Sequence, residues 1–501
     1  MGHLFVAQGD LTRFACDALV IPCDKGLNVN KAWERILPDA LPIGDREDWR
    51  RIDGIEDSNG VVAQPDSDGR LVRAFVAVEF FTTPEEIVGR LWRALRKVSE
   101  DLTPPDFRVK PLIAMPLVGT GYGGLEGHRA EVISSLLDRY RSEPLSVDLA
   151  LILIDRRDFA AVQNQRQAAV DWIELDEELR LRADELGRLA GRQELSLFLG
   201  SGVSRPVGLP DWRQLLDSLA AAVPMHTPST HNGFEEAATP IKAALGERYY
   251  GEMVSRLTTD QHAIGHALLA GLRVKQMVTT NFDRCMELAL EALLDQGFRV
   301  LARELTVGGM AWLLKLHGDI LQPESLIFTS QDVERHALEA APLRGVVQSL
   351  LLTSHLLFVG FSFKDNDFLE LATAVSRVRA AAEGAPGTTV GTALALTEED
   401  ADSVDYDELS IIAMPDNDRD EAARKLEIFL DRLAWSAATS HELSAEYLLD
   451  DRYENGLPDA DLALRKVLKD IAKEAREARG SAGWPRVAAC LRELGADSED
   501  L

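Results

Sequence analysis

The sequence predicts two successive α/β units, each a largely parallel sheet covered by helices, joined by a helical connector and closed by a helical tail. Three observations predict it. Short apolar runs alternate with stretches of helical spacing over residues 1–155. The alternation restarts at ELSLFLGSGVSR (194–205) and runs on to Trp435. Charged segments of helical spacing, ELDEELRLRADELGRLAGRQ and DADLALRKVLKDIAKEAREARG, follow each unit. The expected boundaries are 1–155, a connector at 156–192, a second unit at 193–435 and a tail at 436–501.

In the first unit, strands are expected at 4–7, 18–22, 71–78, 111–118 and 148–153, with helices at Glu85–Asp101 and His128–Arg141. In the second, strands follow LSLFL at 276–280, 313–317, 356–362, 392–396 and 409–415. Helical material separates them at 211–270 and 331–352. The longest uncharged run, Gly345–Phe363, carries Gln348, Ser349, Thr353, Ser354 and His355, too polar for a membrane span. It reads as a helix end followed by a buried strand.

Composition narrows the function. With 54 Lys+Arg against 82 Asp+Glu and a formal charge of −28, the chain lacks the positive field that direct nucleic-acid coating needs. Its 46% hydrophobic and 27% charged residues exclude a wholly disordered or fibrous chain. Cys16, Cys23, Cys285 and Cys490 include no C-x-x-C pair, which argues against a zinc ribbon or redox dithiol and suits a reducing cytoplasm. MGHLFVAQGD shows no basic patch before an apolar core, so no signal peptide is expected.

Four polar turns carry the chemistry. Gly200-Ser201-Gly202-Val203-Ser204 links a strand to a helix with apolar positions Trp212, Leu215, Leu216, Leu219 and Ala220. Such a turn lets backbone approach a pyrophosphate, though a ligand-free tight turn has the same sequence. Thr279-Thr280-Asn281-Phe282-Asp283 ends the next strand, where open sheets bind ligands. Asp283 there is equally suited to cap the helix DRCMELALEALL. Leu316-His317-Gly318-Asp319 offers an imidazole that is a general base near pH 7 or a structural histidine. Gly360-Phe361-Ser362-Phe363-Lys364-Asp365 closes the set. His262 and His266 have two-ligand helical spacing, but no Glu follows the first, so a structural or surface pair is expected rather than a metal site.

GSGVSRPVGLPDW, TTNFD, KLHGD and VGFSFKD, in this order over 193–435, resemble the sirtuin-like NAD-binding fold. They are most similar to its branch of prokaryotic antiphage effectors, the Thoeris-type NADases. The resemblance implies a Rossmann-like parallel-sheet domain with a helical insertion at 211–272. Between His317 and Gly360 there is no cysteine, so the four-cysteine zinc module of sirtuin deacylases is absent. In the first unit, Gly9-Asp10-Leu11-Thr12, CDALVIPCD and AMPLVGTGYGG (114–124) resemble a macro domain, an ADP-ribose-binding α/β module. DKGLNVNKAW stands where that family has a glycine-rich loop.

What the resemblance implies for function is NAD as substrate and no metal. Gly200, Ser201, Gly202, Ser204 and Arg205 would take the pyrophosphate, and Thr280, Gly318, Gly360, Ser362 and Asp365 would complete the cofactor edge. Asn281 would orient ribose and water, Asp283 would hold the carboxamide end, and His317 would accept a proton. The expected reaction is hydrolysis of the nicotinamide–ribose bond by a triggered antiphage (abortive infection) effector. An ADP-ribose-derived signal nucleotide is expected at the N-terminal unit, and homo-oligomers through the C-terminal helices. Alternatives are a zinc-free protein deacylase or ADP-ribosyltransferase, or a non-catalytic NAD or ADP-ribose sensor.

Overall fold

The computed structural model describes residues 1–24, 29–37, 62–65, 71–78, 83–121, 123–223, 233–293, 297–301, 303–306, 308–363, 365–381, 389–402, 404, 406, 408–416, 418–440, 444–475 and 479–497. Its packing divides the chain into two compact units, Met1–Gly187 with Asp431–Leu501, and Arg188–Leu430. Residues 156–187 of the expected connector (156–192) and the whole expected tail (436–501) therefore pack with residues 1–155, as do residues 431–435, expected in the second unit. The reason is visible in their contacts: Asp158 pairs with Arg129 and accepts from the Tyr453 hydroxyl, and Tyr453 lies in the core of the first sheet. An amphipathic helix with an apolar face buries it on the nearest core, here that of the first unit.

The first unit holds a six-stranded sheet of β1 (Leu4–Gln8), β2 (Ala18–Cys23), β3 (Val62–Pro65), β4 (Val72–Ala77), β5 (Leu112–Met115) and β6 (Asp148–Leu153). Their order is β1-β6-β5-β2-β4-β3, parallel throughout except for the antiparallel β3–β4 pair. Apolar runs such as LFVAQ and DLALIL are buried along their whole length, as parallel strands covered on both faces must be. The helix Pro84–Asp101 starts at a Thr83–Glu86 capping box, and its buried face, Ile87, Leu91, Trp92, Leu95 and Val98, recurs at helical spacing. The strand β3 is not expected from the sequence. It is a short edge strand ending in Pro65, and proline weakens any strand signal.

Asp431 is the polar centre of this unit. It is wholly buried and accepts from Arg166 at 2.6 Å, the Trp172 indole at 2.8 Å and the Val6 amide at 3.2 Å, with His3 Nε2 at 2.8 Å. Burial alone would raise its carboxyl, but the adjacent Arg166 and His3 hold it far below the ordinary carboxylate range.

The second unit contains β7 (Leu195–Leu199), β8 (Gln276–Thr279), β9 (Phe298–Leu301), β10 (Ala311–Lys315), β11 (His355–Val359), β12 (Gly391–Ala395) and β13 (Leu409–Ala413). All pair in parallel in the order β13-β12-β11-β7-β8-β10-β9. The chain moves from β7 to one side, then crosses back for β11. Such a reversal of strand order opens a crevice at the strands' carboxyl ends. The expected insertion consists of helices Trp212–Ala221, Gly233–Leu245, Tyr249–Leu257 and Ile264–Gly271. The edge strand β9, FRVL, is not expected; four residues with one charge carry little pattern. Gly345–Phe363 forms the end of the helix Ser330–Thr353 and then β11, as its sequence predicts. Among the described residues, no helix is long and apolar enough to cross a membrane.

Candidate active site

Register brings the four turns to one line. Val359 pairs with Leu199, Leu199 with Thr279, and Thr279 with Lys315 across β11, β7, β8 and β10. The next residues on each strand are Gly360, Gly200, Thr280-Asn281 and Leu316-His317. Asn281 and His317 thus stand at the same height, each two residues past a matched pair on adjacent strands.

Asn281 is buried, and both hydrogens of its amide are engaged, by the Gly200 carbonyl at 3.1 Å and the Ser204 hydroxyl at 3.2 Å. Flipping the amide would set two carbonyl oxygens against each other, so the network assigns the orientation. A second layer holds Ser204. The Ala263 amide donates to His266 Nδ1 at 3.3 Å, which leaves the proton on Nε2, and that nitrogen lies 3.3 Å from Ser204 Oγ. Burial pushes the His266 imidazole down to about 4, so it is neutral at pH 7. One atom remains: Asn281 Oδ1 is buried with no hydrogen-bond partner. An acceptor left in that state costs about 1–3 kcal/mol and reserves the position for a donor, a water or a hydroxyl.

His317 follows β10 and is nearly buried, with Nε2 2.7 Å from Asp365 Oδ2. Asp365, expected at the cofactor edge, instead pairs with this imidazole, and its other oxygen caps the helix Asn366–Ala381 through the Phe368 amide. Gly318 turns the chain with φ +98°; a Cβ there would lie 2.2 Å from the Ser325 carbonyl oxygen. The Trp212 indole stacks on Phe328 at 4.9 Å and presents an edge contact to His317 at 6.0 Å. That aromatic pair lines one side of the imidazole. In the sequence Trp212 is an apolar helix position and the last residue of GSGVSRPVGLPDW, with no sign of its contact to His317.

The glycine turn differs from expectation. A Cβ on Gly200 would lie 2.3 Å from the Gly360 carbonyl oxygen, and one on Gly202 2.8 Å from Gly360 Cα. The Gly202 amide donates to Gly360 at 3.1 Å, so it does not point at a pyrophosphate. These glycines let two motif turns interlock. Ser201 and Gly202 continue into a 3-10 helix, Ser201–Val207, and the α-helix starts only at Trp212. Arg205 and Ser362 are exposed, whereas Thr280 is buried and donates to Leu199. Asp283 is buried too, accepting from the Cys285 amide at 2.9 Å at the entry to the helix Cys285–Glu291. The N-cap of that helix is Arg284, with no side-chain capping bond, so Asp283 braces the turn before the helix rather than capping it. His266, Asp283 and Cys285 place their ligand atoms within 4.8 Å of one another. Both His266 nitrogens are engaged and burial pushes the Cys285 thiol well up, so the donor set fits a hydrogen-bonded cluster better than an ion. His262 is buried beside it, not on the surface.

In the first unit, the turns after β1, β2, β4 and β5 leave the same carboxyl edge. Asp10 accepts from the Thr12 amide at 2.9 Å and hydroxyl at 2.7 Å, shaping the turn after β1. Gly119 and Gly124 have φ of +88° and +86° in the turn after β5. Of the divergent loop, 25–28 lie outside the described residues, as does Tyr122.

Residues 275–412 match the SIR2-like domain. The stretch holds three of the four turns. NAD(+) hydrolase ThsA of Bacillus cereus (strain MSX-D12) is 28% identical over 201 residues, 38% of this chain and 41% of the relative. NAD(+) hydrolase ThsA of Acinetobacter baumannii (strain 532279) is 28% identical over 214 residues, 41% of this chain and 43% of the relative. The match therefore spans about two-fifths of the length of these curated relatives. Among solved structures, an Oceanobacillus iheyensis macrodomain mutant with ADPR covers 32% of this chain and 90% of its own, at 16% identity and a TM-score of 0.25.

Proposed function

We propose that the second unit hydrolyses NAD+ at the nicotinamide–ribose bond, giving ADP-ribose and nicotinamide. The observation that carries this reading is the unpartnered Asn281 Oδ1, in register with the His317–Asp365 pair at the carboxyl ends of adjacent strands. Likeness to the two ThsA hydrolases supports it.

Breaking this bond builds positive charge on the ribose, while the pyridinium leaves as neutral nicotinamide. Little acid catalysis is needed at the leaving group. The site must hold the ribose, admit one water and remove its proton. Asn281 Oδ1 accepts from a ribose hydroxyl or that water. His317, oriented by Asp365, takes the proton, a contribution of typically ~10²–10⁴-fold. Fixed dipoles and positioning supply the rest. The interlocked glycine turns form the floor beneath the dinucleotide, with Ser201 and the first turn of the 3-10 helix nearest its phosphates.

Unrestrained NAD loss is lethal, so the activity belongs to a triggered antiphage effector. We assign sensing of an ADP-ribose-type nucleotide to the carboxyl edge of the first sheet, and self-association to the tail, where Leu464, Val467 and Ile471 are exposed along one helix. The test is chromatography of products after incubating the full chain with NAD, with and without candidate cyclic nucleotides. Nicotinamide and free ADP-ribose without any acceptor support hydrolysis; an acyl-ADP-ribose or a modified protein would indicate transferase or deacylase chemistry.

A further inference from the structure

A buried charged ladder lies beneath the two catalytic turns. The Lys315 ammonium, on the strand that leads to His317, has a side chain 1% exposed. It donates to the Phe282 carbonyl at 2.9 Å and the Asp283 carbonyl at 2.5 Å. Its charge faces Glu287 at 3.1 Å and Asp319 at 3.4 Å, and Asp319 in turn meets Arg303 at 2.7 Å. The Phe282 carbonyl also accepts from the Ile320 amide at 3.2 Å. Both peptide carbonyls that follow Asn281 are therefore tied to the segment carrying His317.

Stability does not account for such an arrangement. A buried ion pair replaced by apolar side chains of similar volume is often neutral or stabilising. What an ammonium supplies, and a methionine cannot, is several donors diverging from one atom. Two carbonyls of one turn are held at once, which sets the direction of the peptides next to Asn281. Sheet register fixes the backbone only as far as Thr279 and Lys315. Beyond that pair, the turns are joined by the Ile320–Phe282 backbone bond and by the lysine, which alone of the two also holds the Asp283 carbonyl.

We propose that Lys315 is a positioning residue that keeps Asn281 in productive register with His317, resting on the reading that these two act on NAD.

The test uses the full chain with Lys315→Met and Glu287→Leu combined, which removes both charges. Expected is a folded protein whose kcat for NAD falls about tenfold or more while KM changes less than about threefold, the pattern of a contribution made mainly in the transition state. Peptides covering 279–285 should also exchange amide hydrogens faster, with β7 unchanged. If the wild type hydrolyses NAD and the folded double variant matches its kcat within about twofold, the positioning role is overturned. If the wild type does not hydrolyse NAD under any trigger, the functional reading fails instead. Hydrogen exchange still decides the lysine's part: unchanged rates at 279–285 would refute it. Should the double variant not fold, Lys315→Arg, which keeps the charge but not the compact ammonium, takes the same two measurements with the same expected directions.

Discussion

His317 Nε2 lies 2.7 Å from Asp365 Oδ2, joining the turn after β10 to the start of the helix that follows β11. A carboxylate in that position orients an imidazole and stabilises its protonated form. Asp365→Asn keeps the size and the capping ability of the side chain, so the fold should persist. NAD turnover should nonetheless fall on the order of 10²-fold, with a smaller change in KM. Turnover within threefold of wild type would remove Asp365 from the mechanism.

Asn281→Ala and His317→Ala are each expected to abolish NAD consumption while circular dichroism and thermal unfolding report a folded protein. Asn281→Ala removes a buried acceptor without a partner but also the two bonds to Gly200 and Ser204, so a modest net loss of stability, about 1–2 kcal/mol, is expected. Near-wild-type turnover in either variant would show that the site is assigned wrongly.

Stability should depend on pH through His266. Burial pushes its imidazole from 6.5 down to about 4, although nearby Asp283 favours the charged form. The unfolded chain therefore binds the extra proton more readily than the folded one. This contribution is complete above pH 6.5 and is lost as the pH falls towards 4, a span of about 3 kcal/mol. Denaturant titrations at pH 7 and pH 5 should show the loss in the wild type and a shallower one in His266→Asn. Equal slopes in the two proteins would contradict a buried neutral imidazole.

Asp431 makes a prediction remote from the chemistry. Asp431→Asn leaves Arg166, 1% exposed in its side chain, without its counter-charge. Breaking a buried pair in this way costs about 3–5 kcal/mol. Thermal or denaturant unfolding of the first unit should register it, and a shift below about 1 kcal/mol would show that the cluster does not hold the unit together.

The alternation of apolar runs and helices made most of the architecture legible, including both parallel sheets and the helical insertion. β3 and β9 escaped because both are four-residue edge strands, one ending in proline and one carrying Arg299. The turns bearing Asn281 and His317 could be read from their polar residues at strand ends. Their supports could not. His266 meets Ser204 across 62 positions, and Lys315 reaches carbonyls 32 and 33 residues earlier; no local pattern encodes such pairings. Asp365 was visible as a motif residue but not as the partner of an imidazole, because the crossover that brings β11 beside β7 decides that. The glycines misled in one respect. Their lack of side chains serves the approach of one turn to another, where sequence alone suggested a ligand.

The most direct measurement is the rate at which the purified full chain releases nicotinamide from NAD, compared between wild type and Asn281→Ala under the same trigger. Stoichiometric nicotinamide and ADP-ribose from the wild type, with none from the variant, is the predicted result. Equal release from both would contradict the central claim, since the amide that the whole network orients would then have no part in the reaction.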